Sequence, residues 1–171
     1  TFTDDYRQAR ERFTRAAHAA DARVEAIAHP TLRAPDGGDL TVDLAWRGRE
    51  DAPRVLLVTS GMHGFEGPAG SAVQSAWLET APKTLPTDTA VLMVHALNPW
   101  GFAWVSRLTE NNVDLNRNFV DWSAAPPANP LYRHVRDLVR VPDMSLETLA
   151  RLLGAQQRLA AELGPAAAQV A

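Results

Sequence analysis

The sequence predicts an α/β fold: a mixed, largely parallel sheet with flanking helices. Three observations carry this. Residues 54–59 and 90–95 are short apolar runs rich in β-branched side chains, the composition of strands buried on both faces. Between them, residues 68–79 read as a helix opened by Pro68, since proline suits a first helical turn. Strand, helix, strand in this order implies a right-handed crossover between parallel neighbours. Finally, each run ends in a loop dense in Gly, Pro and polar residues, at the carboxyl end where open α/β sheets bind ligands.

Taken in order, residues 4–28 read as one helix, with Tyr6, Phe13, Ala16, Ala17 and Ala20 near helical spacing and Pro30 closing it. Pro35-Asp36-Gly37-Gly38 is a turn. Leu40, Val42, Leu44 and Trp46 then alternate with Asp39, Thr41, Asp43 and Ala45, a strand with one buried face. The two buried strands and their helix follow. A helical pattern resumes over residues 130–164: Leu131, Val135 and Leu138 mark one helix ending near Pro142. Ser145, with Thr148 three residues on, begins another that stops at Gly164-Pro165. Nothing after Asn118 reads as a strand.

With 171 residues, 46% of them hydrophobic, the chain is long enough for one domain with a proper core. A net charge of -3 and the absence of like-charge runs give no footprint for nucleic acid. No stretch is apolar and long enough to span a bilayer. The polar start lacks the core of a secretory signal, which favours a cytoplasmic location, although a first residue of Thr leaves a removed signal open. With no cysteine, any metal must be held by His, Asp, Glu or backbone oxygen.

The chemistry concentrates in two loops. In His63-Gly64-Phe65-Glu66 an imidazole and a carboxylate stand three residues apart on a glycine-flanked turn, able to bend toward one point. Such a pair alone is more often a surface pair than a ligand pair. The second loop runs from Asn98-Pro99-Trp100-Gly101-Phe102 through Arg107 to Asn111-Asn112-Val113-Asp114-Leu115-Asn116-Arg117-Asn118-Phe119. His-x-x-Glu, Asn-Pro-x-Gly-Phe, an Arg and Asp-x-Asn-Arg-Asn with an aromatic, in this order, resemble the zinc carboxypeptidase superfamily. The pattern is most similar to a bacterial branch sharing Gly-x-His-Gly-x-Glu-Gly and Val-Asp-Leu-Asn-Arg-Asn-Phe. The aspartoacylase and succinylglutamate desuccinylase branch is a more distant relative. The resemblance covers about residues 40–119.

That resemblance implies a zinc-peptidase, phosphorylase/hydrolase-like fold and a zinc-dependent hydrolase cleaving an amide bond next to a free carboxylate. It implies His63 and Glu66 as zinc ligands and Arg107 as the catalytic residue polarising the scissile carbonyl. Asn116 and Arg117 would hold the substrate's terminal carboxylate, and Asp114 would orient His63. The substrate would be a small peptide or, for a deacylase, an N-acyl amino acid. A non-catalytic carboxylate-binding module is the reading from another class.

Other residues read as structural. Asn98 and Asn111 shape loops, Trp100, Phe102 and Trp104 pack beneath one, and His95 is a hydrogen-bonded residue closing a strand. His134, Glu147 and Glu162 read as helix surface, and His18 and His29 carry no signal. The family's third ligand, a His, and its catalytic Glu lie well beyond the Asn-Arg motif, and no counterpart follows Phe119. Residues 1–171 are therefore expected to be the N-terminal part of a single domain, truncated or inactive alone. An uncovered sheet edge would then favour self-association.

Overall fold

The computed structural model describes residues 2–125, 128, 132 and 145–164, in two compact units divided between Phe119 and Val120. In the first unit a helix, α1 (Tyr6–Ala19), precedes three strands, β1 (Arg23–Arg33), β2 (Asp39–Arg47) and β3 (Arg54–Thr59). Helix α2 (Gly67–Thr80), strand β4 (Thr89–His95) and a short helix α3 (Pro99–Ala103) follow. The sheet order is β1-β2-β4-β3. The α/β class with a mixed sheet is as the sequence predicts, but within the described sheet parallel pairing is confined to β3 and β4; β1/β2 and β2/β4 run antiparallel. The reason is local: the Pro35–Gly38 turn folds β1 and β2 into a hairpin, with Gly37 at φ 81°.

The expected helix over residues 4–28 is half helix and half strand. Asp5 caps α1 by accepting the Gln8 N–H at 2.7 Å, and Asp21, at φ 56°, reverses the chain after Ala20. Pairing with β2 then overrides the helix preference of residues 23–28. Pro30 breaks no ladder because β1 lies at an edge, where the register shifts between Ala28 and Arg33.

The buried face of β2 is also the opposite of the one expected. Thr41, Asp43, Ala45 and Arg47 are buried, whereas Val42, Leu44 and Trp46 are half-buried on the other face. Helices α1 and α2 decide this. Phe13, Ala16, Ala17 and Leu78 form a core with Ala45, Val91 and Met93. Most polar groups on that face are matched, although among the described residues Arg47 Nη1 is buried with no hydrogen-bond partner. Tyr6 donates its hydroxyl to the Thr41 carbonyl, Arg10 reaches Asp43 at 2.9 Å, and Arg47 donates to the carbonyls of Ala20, Pro82 and Lys83.

Strand β3, expected to be buried on both faces, is the outer strand of the described sheet, with Val55, Leu56 and Leu57 each about half exposed. Helix α2 spans Gly67–Thr80 with Pro68 in its first turn, close to the sequence reading.

In the second unit, the last helix α4 (Leu146–Leu163) starts at Ser145, whose hydroxyl accepts the Thr148 N–H at 3.2 Å. Glu147 and Glu162 are exposed on it, as expected. The helix expected over Leu131, Val135 and Leu138, and His134 with it, falls outside the described residues apart from Tyr132. Among the described residues no helix is long and apolar enough to cross a membrane.

Candidate metal and carboxylate site

Because β3 and β4 are parallel neighbours, the loops that follow them leave the sheet side by side. The ladder continues past the strands: Leu97 N–H reaches the Ser60 carbonyl and Asn98 N–H the Gly61 carbonyl, both at 2.9 Å. Gly61, at φ 65°, turns the first loop toward a single 3-10 turn at Gly64–Glu66. Asn98 accepts the Gly101 N–H at 2.8 Å and so caps α3.

The loops dock backbone to backbone. A Cβ on Gly64 would lie 1.9 Å from the Gly101 carbonyl carbon, and the Phe65 N–H donates to the Ser106 carbonyl at 3.1 Å. Phe102 is buried as expected and Trp100 half-buried, while Trp104 stays half exposed, its indole N–H on the Arg33 carbonyl. Val105, a β-branched residue at φ 54°, holds the bend that leads into Arg107.

This docking brings four of the predicted residues together. His63 is buried, at 8% exposure, between two carboxylates. Its Nδ1 stands 3.2 Å from Glu66 Oε1 and its Nε2 3.1 Å from Asp114 Oδ1. Asp114 also accepts the Asn116 N–H at 2.9 Å and the Arg107 Nε–H at 3.2 Å. Arg107 lies 3.8 Å from Glu66 Oε1 as well. Desolvation pushes the Asp114 carboxyl up, but the hydrogen bonds from His63 and Asn116 and the Arg107 charge outweigh it and hold it below the usual carboxylate range.

The hydrogen-bond polarity is informative. An ionised Asp114 accepts only, so the imidazole proton belongs on Nε2. Nδ1 then turns a lone pair toward Glu66 Oε1, acceptor against acceptor, and a cation between them, a proton or a metal, resolves the contact. Two donors bound to one tetrahedral metal at about 2.1 Å would sit roughly 3.4 Å apart, close to the spacing seen. His63 and Glu66 thus fit two positions of a zinc site. Among the described residues no group of three or more His, Asp or Glu is placed to hold a metal.

Asn116 and Arg117 lie on the following 3-10 turn, Leu115–Arg117, and both are exposed. Arg117 donates to the Asn116 carbonyl at 3.1 Å, and among the described contacts neither side chain is tied to His63 or Glu66. Asn118 braces the turn by donating to the Asp114 carbonyl at 2.8 Å. A cavity of about 280 Å³ lies beneath these loops, lined by Ile27, His29, Val42, Trp100, Glu110 and Leu115 among others.

His95 is fully buried, as its structural reading expects, with Nε2 on the Ser71 hydroxyl at 2.9 Å and the ring stacked on Phe13. Burial, with the nearby Arg10 charge, pushes it down to about 3. Sequence reasoning passed over the Gly64–Gly101 contact and the approach of His29 to Glu110. The glycines were visible as flanking residues, whereas nothing in the sequence paired positions 29 and 110.

Among curated proteins, none matches the chain. Among solved structures, the chain is similar to Porphyromonas gingivalis glutaminyl cyclase at 17% identity and a TM-score of 0.33 over 55% of its length. It spans 45% of that chain, and a likeness of this size bears on neither fold nor activity. The family described as "Protein of unknown function (DUF2817)" matches residues 2–171, and the chain belongs to it.

Proposed function

We propose that the chain carries the His-Glu part of the metal site and the arginines of a zinc-dependent hydrolase of the carboxypeptidase type. Its substrate would have an amide bond adjacent to a free carboxylate. The observation behind this is the face-to-face approach of His63 Nδ1 and Glu66 Oε1, with the opposite ring nitrogen fixed on Asp114. That is how a metal-binding imidazole is held: one nitrogen toward the ion, the other donating to a carboxylate. Zinc, when bound, supplies a Lewis acid that polarises a carbonyl and acidifies water.

The chain's own groups supply the rest of the reading. Arg107, partly exposed beside Glu66, offers a fixed guanidinium to a developing oxyanion. Arg117 and Asn116, exposed on the next turn, are free to take a carboxylate, the guanidinium by a bidentate pair. The resemblance to the zinc carboxypeptidase superfamily favours the same roles, and a cytoplasmic setting accords with the lack of cysteine.

One observation favours the non-catalytic alternative: Asn116 and Arg117 are exposed and, among the described contacts, not tied to His63 or Glu66, so a carboxylate can be held there without the metal pair. The two readings part in a single experiment. A hydrolase releases an amino acid from a short peptide or an N-acyl amino acid, and loses that turnover with chelator or with His63→Ala. A carboxylate-binding module gives no turnover, and binds the same compounds with chelator present and after His63→Ala.

A further inference from the structure

The loop that carries Asp114, Asn116 and Arg117 does not rest on a filled core. An open groove of about 280 Å³ lies between it and β1 and β2, with Ile27 and Val42 on the sheet side and Thr109, Glu110 and Leu115 on the loop side. Polar contacts that span this groove therefore help to fix where the loop stands.

One such contact starts at the irregular part of β1. His29 Nδ1 accepts the main-chain N–H groups of Leu32 at 3.1 Å and Thr31 at 3.4 Å, where the β1/β2 register shifts. With Nδ1 committed as an acceptor, the ring proton sits on Nε2. Nε2 faces Glu110 Oε1 at 3.6 Å, a distance of electrostatic contact, and both side chains are mostly buried. The same oxygen accepts Asn111 Nδ2–H at 2.9 Å.

Glu110 belongs to a closed turn. Thr109 N–H bonds the Val113 carbonyl at 3.0 Å, Asn112 N–H bonds the Thr109 carbonyl at 2.9 Å, and Val113 N–H bonds the Thr109 hydroxyl at 3.2 Å. Asn112 sits at φ 63°, a conformation asparagine tolerates better than most residues. A turn closed at three points moves as one piece, so an anchor at Glu110 sets where Asp114, one residue beyond the turn, stands.

We propose that His29 is a positioning residue of the site: through Glu110 it anchors the 109–113 turn to β1 and so holds the Asp114 carboxylate against His63. Its importance for metal binding rests on the function proposed above, whereas the anchoring does not. The test compares the 171-residue chain with His29→Asn, Glu110→Ala and the double variant. Asparagine at position 29 keeps an oxygen for the neighbouring main-chain N–H groups but is too short to face Glu110. The first readout is exchange of the Asn116 amide hydrogen, which is bonded to Asp114 and needs no metal.

Each single variant is expected to speed that exchange about tenfold, and the double variant no further, because both break one contact. Zinc affinity, measured with zinc alone against a chromophoric chelator, should weaken in parallel. Exchange within twofold of the parent in both single variants would overturn the proposal, and so would effects that multiply in the double. If the parent binds no zinc yet exchange responds as expected, the metal reading fails and the anchor stands.

Discussion

Asp114 receives three donors, and each has a separate consequence. The imidazole fixes the tautomer of His63, Arg107 ties the second loop to the first, and the Asn116 amide sets the turn that presents Arg117. Asp114→Asn keeps the shape but turns half of the acceptor into a donor, so it competes with the Nε2 proton for position. If zinc binds, the variant is expected to weaken it by about 10–100-fold, the range for losing a carboxylate behind a metal-binding histidine. Zinc titration of parent and variant checks this. That His63, Glu66, Arg107 and Asp114 come together was readable from the motifs of the family resemblance, which follow the ends of two neighbouring strands. The approach of His29 to Glu110 was not readable, because it joins an irregular strand edge to a loop with no periodic signal linking them.

At the scale of elements, the two site loops hold together by the absence of side chains. Gly64 and Gly101 let their backbones meet where a Cβ would stand 1.9 Å from carbonyl carbon, and main chain cannot swing aside as a long side chain can. Gly64→Ala is expected to cost about 1–3 kcal/mol, the range for overpacking a tight contact. Thermal unfolding should show the loss, and the His63 ring signal should show that the loop has moved. Gly154→Ala, at a helical position whose nearest neighbour is the Arg158 guanidinium at 3.6 Å, should leave stability equal or slightly raised.

The strands teach a related lesson. Arg54–Thr59 was readable to the residue and β4 nearly so, because an apolar β-branched run has one common use. The faces of β2 were not. Its apolar residues alternate cleanly, yet the helices cover the other side, where Thr41, Asp43 and Arg47 find polar partners on α1 and in the segment after α2. A period of two fixes that a strand has two faces; which one is buried depends on where the helices pack. Residues 23–28 show the same limit, since Ala and Glu favour a helix until a neighbouring strand offers a ladder.

For the molecule as a whole, the Asp43–Arg10 pair and the buried His95, stacked on Phe13, join α1 to the sheet. His95 is fully buried and neutral, with a folded value near 3 against an ordinary 6.5. The unfolded chain therefore takes up a proton between those values that the folded chain refuses. This contribution is fully present above about pH 6.5 and is lost as the pH falls toward 3, at up to about 1.4 kcal/mol per pH unit. Melting temperatures from pH 7 to 4 should fall less steeply for His95→Gln than for the parent; parallel curves would show that the imidazole is not held neutral.

The outer position of β3 in the described sheet, with Val55, Leu56 and Leu57 half exposed, gives a second expectation at this scale. The chain should self-associate with rising concentration, and Leu56→Lys should reduce this in light scattering.

The central claim is that His63 presents Nδ1 to a metal while Asp114 keeps the proton on Nε2. Its most direct test is a zinc titration of the nitrogen-15-labelled chain, followed through the ring nitrogens of its histidines. The predicted result is a saturable shift at Nδ1 of His63, with the Nε2 proton retained and the effect abolished in Glu66→Ala. A shift at Nε2 instead, or no response of His63 at zinc concentrations that move other histidines, would contradict it.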